Sequence, residues 1–561
     1  MKKIILSLFT FITIYTFSQE PVLVRHDYPG SDRHNKGNFR NLRAVGNTLF
    51  FVTDDGVHGS ELFKSDGTEA GTLLVKDIYQ GKSKSSPSVL MNFNNQLFFY
   101  AYTGSVNGVN LWKSDGTEAG TVKVASIKEA SGNSLHASYL VIDNTLFLES
   151  STSRGDSYGL WKTDGTETGT LLVKAFNRIP GISNSLNSFT AFKNKIYFTA
   201  YDSLKGVELW VSDGTEAGTI MLKDIMPGDG ESHSGVGGLT VVGNELFFAA
   251  NDGVNGSELW KTDGTEAGTI MVKDIKPGDS GSSLNYLRNV NGTLYFSAND
   301  GTHGQELWKS NGTEAGTVLI KDIIVGTVNF KSGSAPKDLI AAGNTLYFIA
   351  DDGVHGSELW KSNGTETGTV LIKDTFPGKL GGASNNTVVA YNNYVFFKGT
   401  DTNGQEPWIS DGTEAGTKML KDTNLNNTTY AKYFDTKLYI GRGTITDNGN
   451  FYFLSFDGVN GTEPSLWKLD LNTLSVKNEL KTDLTNVSIY PNPASNNLNI
   501  EVDNQQIKSV KIFNLLGKEV MQKSINNSSL KNINISQLTK GMYVIQLKTA
   551  DNSFTRKFIK Q

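Results

Sequence analysis

The sequence predicts an all-β protein: a β-propeller of eight or nine four-stranded blades followed by a small C-terminal β-sandwich. Three observations carry this. A phrase first seen as Glu61 to Thr72 recurs, and the Ser/Thr that opens its turn stands at Ser65, Ser114, Thr163, Ser212, Thr262, Ser310, Ser362 and Ser410. The steps are 49, 49, 49, 50, 48, 52 and 48 residues, a period that marks stacked supersecondary units. Between the copies run short segments rich in Val, Ile, Phe and Tyr, broken by Asp-Gly, Gly-Asn and Pro-Gly, and no segment sustains a helical period. All eight tryptophans (Trp112, Trp161, Trp210, Trp260, Trp308, Trp360, Trp408 and Trp467) fill one slot of the phrase, which Phe63 takes in the first copy.

One unit can be parsed strand by strand on residues 239 to 275. Strand a is Leu239 to Val242, strand b Glu245 to Ala250, strand c Glu258 to Thr262 and strand d Thr269 to Ile275. Turns at Gly243-Asn244 and Asp263-Gly264 join a to b and c to d, and the loop Asn251 to Gly256 joins b to c. Four antiparallel strands in about 45 residues fit a propeller blade, whose two apolar faces are covered by its neighbours. A linear β-solenoid or a string of sandwiches is the alternative; the first generally has shorter repeats and the second longer ones. A degenerate ninth unit spans Tyr433 to Glu479, with strands at Asn450 to Phe456 and Ser465 to Leu469. If Val22 to His26 supplies its missing strand, the two ends of the chain close the ring and remove a free sheet edge.

Composition narrows the function. The chain has 561 residues, 59 Gly, no Cys and a formal net charge of −5. Without cysteine there are no disulfides, no thiolate catalysis and no Cys-type zinc site. A mildly acidic balance with no basic aromatic stripe excludes a general pull toward nucleic acid. Lys2 and Lys3 precede an apolar run from Ile4 to Phe17, and small residues lie near Gln19, so residues 1–18 read as a secretory signal peptide. No later stretch is long and apolar enough for a transmembrane segment in the mature chain. Residues 19–480 are then the propeller and residues 481–561 a separate C-terminal domain.

The candidate site residues follow from strand alternation. The b–c and d–a connections share one end of the ring, and this end gathers Asp54, Asp55, Asp252, Asp300, Asp351, Asp352 and Asp401. The acidic face is a candidate for calcium or a polyhydroxylated ligand such as a glycan; a solvated rim is the plainer reading. His58, His303 and His355 share a slot with Asn107, Asn255, Asn403 and Asn460, which argues for a shared backbone conformation over metal ligation. The Asp-Gly of the phrase reads chiefly as hairpin chemistry, because Asn311 and Asn363 replace Asp in two copies. No Ser/His/Asp triad, zinc spacing or phosphate-binding glycine loop stands out, so no catalytic or cofactor-binding residue is assigned. The rare residues His136, Arg154, Arg178, His233 and Arg288 would point to catalysis if they converged.

The phrase resembles the ELWxxDGT repeat of secreted bacterial proteins, chiefly of the Bacteroidetes, over residues ~40 to 470. Phe63, Asn311, Asn363 and Pro407 are its departures. The resemblance implies an extracellular protein and carries no general enzymatic assignment. The C-terminal segment, with Tyr490-Pro491-Asn492-Pro493, a Leu-Gly-Lys turn at Gly517 and Lys540-Gly541-Met542-Tyr543, resembles the type A sorting domain of the type IX (Por) secretion system. That resemblance implies export through the periplasm and outer membrane, with the type IX machinery as partner of residues 481–561. The mature protein is then expected to be a secreted or cell-surface module for binding, adhesion or scaffolding, with an extracellular glycan or protein as ligand. A polysaccharide-acting hydrolase or lyase is the rival expectation.

Overall fold

A computed structural model describes residues 20–26, 39–104, 109–127, 138–151, 157–177, 186–228, 233–324, 333–379, 381–384, 387–401, 404–422, 439–455, 464–474, 487–502, 507–514, 519–528, 530–548 and 553–561. The chain forms two compact units, residues 1–473 and 474–561. The predicted signal peptide lies outside the described residues.

Among the described residues the first unit contains nine four-stranded antiparallel sheets, the larger of the two expected blade numbers. Each of the first eight runs a-b-c-d in chain order. In blade 5 the strands are Gly237–Val242, Glu245–Asn251, Ser257–Thr262 and Ile270–Lys273. Strand d is shorter than its apolar run suggests. Thr269 belongs to the preceding turn, donating its N–H to Glu266 O at 3.2 Å. Beyond Lys273 the chain turns away, and Ile275 N donates to the buried Glu258 carboxylate at 3.0 Å.

The ninth blade is completed by the N-terminus. Val22–Arg25 pairs with Ser465–Asp470, so the first described strand is the outermost strand of the last blade. Tyr439–Ile445 is its innermost strand, and Asn450–Ser455 lies between. Beside it stands blade 1. Ala44 N donates to Thr444 Oγ1 at 3.1 Å, and Asp447 N to Gly46 O at 3.0 Å. Val24, Phe51, Phe63, Tyr452 and Leu466 share one core at this joint. The ring therefore closes, and no sheet face is left uncovered at the seam.

The core is a series of blade-to-blade layers. In one layer Phe192, Tyr197 and Leu209 of blade 4 pack on Leu246, Phe248 and Trp260 of blade 5. In the next, Phe247 and Leu259 pack on Leu294, Phe296 and Trp308. Each middle strand is buried on both alternating sets of side chains because each set fills a different layer.

The second unit is a β-sandwich of a three-stranded and a four-stranded sheet. Leu498, Ile500, Val510, Ile512, Ile533, Ile545 and Phe558 form its core.

Candidate functional site

The repeated turn is chemically self-contained. Asp66 Oδ1 accepts Thr68 N at 2.9 Å and Thr68 Oγ1 at 2.7 Å. Ser65 Oγ accepts Gly67 N at 3.0 Å and lies 2.8 Å from Thr72 Oγ1, which donates to Thr68 O at 2.6 Å. Gly67 has φ +89°, and a Cβ on Gly71 would collide with the Asp66 carboxylate. Asn311 does the same work as Asp66, accepting Thr313 N at 3.0 Å through its amide oxygen. The Asx-turn bonds need an oxygen and not a charge, which explains the Asp/Asn interchange.

The turn also receives the preceding blade. Lys113 Nζ donates to Gly165 O at 3.0 Å, Lys162 to Gly214 O at 2.9 Å and Lys361 to Gly412 O at 2.8 Å. A second lysine, on strand d, reaches the end of the same turn: Lys174 to Thr219 O at 3.0 Å and Lys273 to Thr317 O at 3.0 Å. The phrase thus builds a hairpin and the latch between blades.

Its opening glutamate has a role that sequence reasoning missed. Glu61, Glu208, Glu258, Glu306 and Glu358 are buried, and so is Glu149, which lies on strand b of blade 3, where Gly159 takes the glutamate slot of the phrase. Each holds the chain that enters the next blade. Ser85 N donates to Glu61 at 2.8 Å, Leu186 N to Glu149 at 3.1 Å, Ser334 N to Glu306 at 2.8 Å and Gly382 N to Glu358 at 2.7 Å. Burial pushes the carboxyls of Glu61, Glu208, Glu258, Glu306 and Glu358 up to about 7, against the pull of these donors. Glu149, with fewer donors, is pushed to about 8. Only a glutamate recurring at a nominally inward strand position signalled this, and such a position suits a charged residue solely when it is hydrogen-bonded.

The aspartates of the expected acidic face lie on the b–c loops or at the strand ends beside them, and several of their carboxylates accept bonds from their own loop. Asp55 Oδ1 accepts Val57 N at 2.9 Å and His58 N at 2.8 Å, and Asp55 Oδ2 lies 2.7 Å from His58 Nδ1. Asp300 with His303 and Asp352 with His355 repeat this at 2.7 Å. In blade 5 Asn255 Nδ2 donates to Asp252 Oδ2 at 2.7 Å in place of the imidazole. Asp54 and Asp351 accept the N–H of Gly56 and Gly353 at 2.8 and 2.7 Å. Asp401 closes its strand opposite Gly404. The pairing with aspartate raises the pKa of His58, His303 and His355. Among the described residues no group of three His, Cys, Asp or Glu could hold a metal ion. These loops lie against the d–a connections, as the strand alternation requires: a Cβ on Gly256 would strike the backbone of Gly281.

Of the rare residues, His136, Arg154 and Arg178 fall outside the described residues. His233 Nδ1 accepts Val207 N at 3.3 Å in blade 4, whereas Arg288 Nε donates to Leu339 O at 2.9 Å between blades 6 and 7. They serve separate backbone contacts.

In the second unit the Tyr490-Pro491-Asn492-Pro493 segment grips the final strand. Asn492 Oδ1 accepts Ile559 N at 2.9 Å, and Ala494 N donates to Ile559 O at 2.8 Å. Tyr490 Oη is 3.5 Å from Glu501 Oε2. Tyr543 stacks on Phe558 with centroids 5.7 Å apart, and its hydroxyl donates to Thr539 O at 2.9 Å. Lys540 is exposed, and Gly541 leads into the strand Gly541–Lys548. Gly517 lies outside the described residues.

Comparisons with known proteins bear on both units. The chain is 33% identical over 130 residues to the ulvan lyase NLR42 of Nonlabens ulvanivorans, a stretch that covers 23% of each protein. It is 30% identical over 107 residues to an endo-acting ulvan lyase of Formosa agariphila, covering 19% of this chain and 20% of that one. The matched stretch is thus about a fifth to a quarter of these relatives' length. Among solved structures, a puromycin hydrolase is 10% identical with a TM-score of 0.36, covering 66% of this chain and 58% of that one. The β-propeller domain of the trilobed protease of Pyrococcus furiosus is 10% identical with a TM-score of 0.31, covering 62% of this chain and 98% of that one. No helix among the described residues is long and apolar enough to cross a membrane. Residues 488–561, whose motif clasps the last strand, match the Secretion system C-terminal sorting domain, which directs a protein through the type IX machinery to the cell surface or beyond.

Proposed function

We propose that the protein is a secreted or surface-displayed polysaccharide-binding module, with the nine-bladed ring as the binding body. The observation that carries this is the pairing of a type IX sorting domain at residues 488–561 with a ring that repeats hydrogen-bonding loops at one end. The two ulvan lyases to which it is similar favour polysaccharide over protein as the ligand class. They also support a second reading, in which the ring itself cleaves an extracellular polysaccharide as a lyase.

One preparation tests both. The full chain is titrated with ulvan and with neutral polysaccharides by calorimetry, and the same mixtures are followed by ultraviolet absorbance for the unsaturated product of elimination. Saturable binding without absorbance growth supports the binding module. Absorbance growth supports the lyase. Neither signal with any polysaccharide would sink both. For export, removal of residues 481–561 is expected to retain the protein inside the cell, and normal release of the truncated chain would remove the sorting role.

A further inference from the structure

The second unit has two unlike outer faces. On its three-stranded sheet Leu498, Ile500 and Ile533 point into the core, so Asn499, Glu501 and Asn532 point out. That face is polar and bonds to itself: Asn532 Nδ2 donates to Asn499 Oδ1 at 2.7 Å, and Tyr490 Oη lies 3.5 Å from Glu501 Oε2. On the four-stranded sheet Ile512, Tyr543, Ile545 and Phe558 point in, so Phe513, Met542, Val544 and Ile559 point out. Met542 is 44% exposed and Ile559 43%, so two large apolar side chains are left in water on this face.

The four apolar residues meet across the strands. Met542 pairs with Ile559, and Phe513 with Val544. Further along, the same face turns polar, with Lys511 opposite Gln546 and Ser509 opposite Lys548. The apolar end is the one held by the Tyr490-Pro491-Asn492-Pro493 segment. Asn492 Oδ1 accepts Ile559 N and Ala494 N donates to Ile559 O, so both backbone groups of Ile559 are turned away from Met542. Met542 and Ile559 are therefore a non-hydrogen-bonded pair, the kind whose side chains lie closest. The clasp fixes Ile559 beside Met542 and covers the sheet edge at Ile559. A partner's strand cannot add where the clasp lies, which leaves the face as the surface on offer.

We propose that the Met542–Ile559 end of this face is the surface by which the type IX machinery takes hold of the chain. The inference rests on the sorting role of residues 488–561 and names the contact that serves it. Charge specifies the partner's surface. Residues 488–561 hold ten Lys or Arg against four Asp or Glu, in a chain whose formal net charge is −5. Lys540, two residues before Met542, and Lys548, at the far end of the same strand, are both exposed. The surface that fits is an apolar pocket with an acidic rim on a component of the export machinery. An exposed apolar cluster carries a solubility cost, which a partner removes by covering it. The opposite face, polar and self-bonded, has no such need.

The test follows the full chain in a cell with a working type IX system and compares the amount outside the cell with the amount in the periplasm. Met542→Ser with Ile559→Ser is expected to lower the exported fraction at least about tenfold. Met542→Leu with Ile559→Val keeps the apolar surface and is expected to export like the parent. Asn499→Ser with Asn532→Ser, on the opposite face, is expected to do the same. A crosslink keeps the test decisive where the serine pair harms folding. The chain has no cysteine, so single Met542→Cys and Asn499→Cys variants can each be crosslinked in the periplasm with a thiol-to-amine reagent. An adduct with a machinery component is expected from position 542 and not from 499. Parent-level export of the serine pair, or an adduct from 542 no stronger than that from 499, would overturn the patch. Truncation after Leu480 separates this from the sorting role. Retention of the truncated chain with normal export of the serine pair removes the patch alone, whereas export of the truncated chain removes both.

Discussion

Lys468 Nζ donates to Gly67 O at 2.9 Å across 401 positions of sequence, the same contact that Lys113 makes with Gly165 at 3.0 Å between adjacent blades. The seam of the ring is therefore built like its interior joints, although the chain is not continuous there. A charged donor on a half-buried carbonyl contributes about 1.5–3 kcal/mol. Lys468→Met, which keeps the aliphatic stem, is expected to lower stability by about 1–2 kcal/mol, and Lys113→Met by a similar amount. Denaturant unfolding of the two variants checks this. A loss at Lys113 with none at Lys468 would mean that the seam is held by its apolar core alone.

The buried glutamates set the pH response. In the unfolded chain a glutamate titrates near 4.5, and in the ring Glu61, Glu208, Glu258, Glu306 and Glu358 are raised to about 7. The folded state binds more protons between these values, so stability falls as pH rises from 4.5 through about 7. His58, His303 and His355 are raised above 6.5 by their aspartates and act in the same direction, losing their contribution above that range. The melting temperature should be higher at pH 5 than at pH 8. Glu258→Gln, which keeps the acceptor oxygen for Ile275 N, is expected to flatten that slope, whereas Glu258→Ala strands buried donors at a cost of about 1–3 kcal/mol each. A melting temperature that rises from pH 5 to pH 8 would show that the backbone donors, and not burial, dominate these carboxyls.

The b–c loops separate the two halves of the aspartate–histidine pair. Asn255 already fills the histidine slot in blade 5, donating to Asp252 Oδ2 at 2.7 Å as His355 does to Asp352. His355→Asn is therefore expected to fall within about 0.5 kcal/mol of the parent. Asp352→Ala removes the acceptor of Val354 N and His355 N, at 2.9 and 2.8 Å, and should cost about 1–2 kcal/mol. Thermal unfolding at pH 7 orders the pair, and a larger loss from His355→Asn than from Asp352→Ala would contradict the Asx-turn account.

What the sequence disclosed and what it concealed have separate physical origins. The four strands of a blade, the Asp-Gly turn and the N-terminal strand of the ninth blade were readable because each is a local pattern of apolar runs and turn residues. Val22 to His26 reads as a short apolar run able to supply the missing strand of the ninth unit, and Val22–Arg25 occupies that position. The lysine latches escaped notice because their partners are backbone carbonyls about 50 residues away, which no side-chain motif announces. Glu258 looked like a polar residue at a strand start, since burial and its donors arise only when the next blade's entry folds over it. The β-bulges of the innermost strands, where for example Arg40 pairs with Val52 but Arg43 with Phe50, were invisible for a further reason. The left-handed residues vary in identity, so Asn285-Tyr286-Leu287 and Lys337-Asp338-Leu339 share a backbone path that their letters do not reveal.

Opposite substitutions at two bulges test whether the left-handed backbone is an imposed strain. Ser188 has φ +62° and Gly238 φ +69° at equivalent positions of blades 4 and 5. Ser188→Gly removes a left-handed penalty of roughly 1–2 kcal/mol and adds an unfolded-state entropy cost of roughly 0.5–1 kcal/mol, so a net gain of up to about 1 kcal/mol is expected. Gly238→Ala runs the other way. Its Cβ meets Leu287 Cδ1 at 3.1 Å, tighter than ordinary contact, and the alanine must hold the left-handed conformation. A loss of about 1–2 kcal/mol follows. Denaturant midpoints of the two variants decide the matter. If Ser188→Gly destabilised the ring as much as Gly238→Ala, the bulge would be a relaxed conformation of these sequences and not an imposed strain.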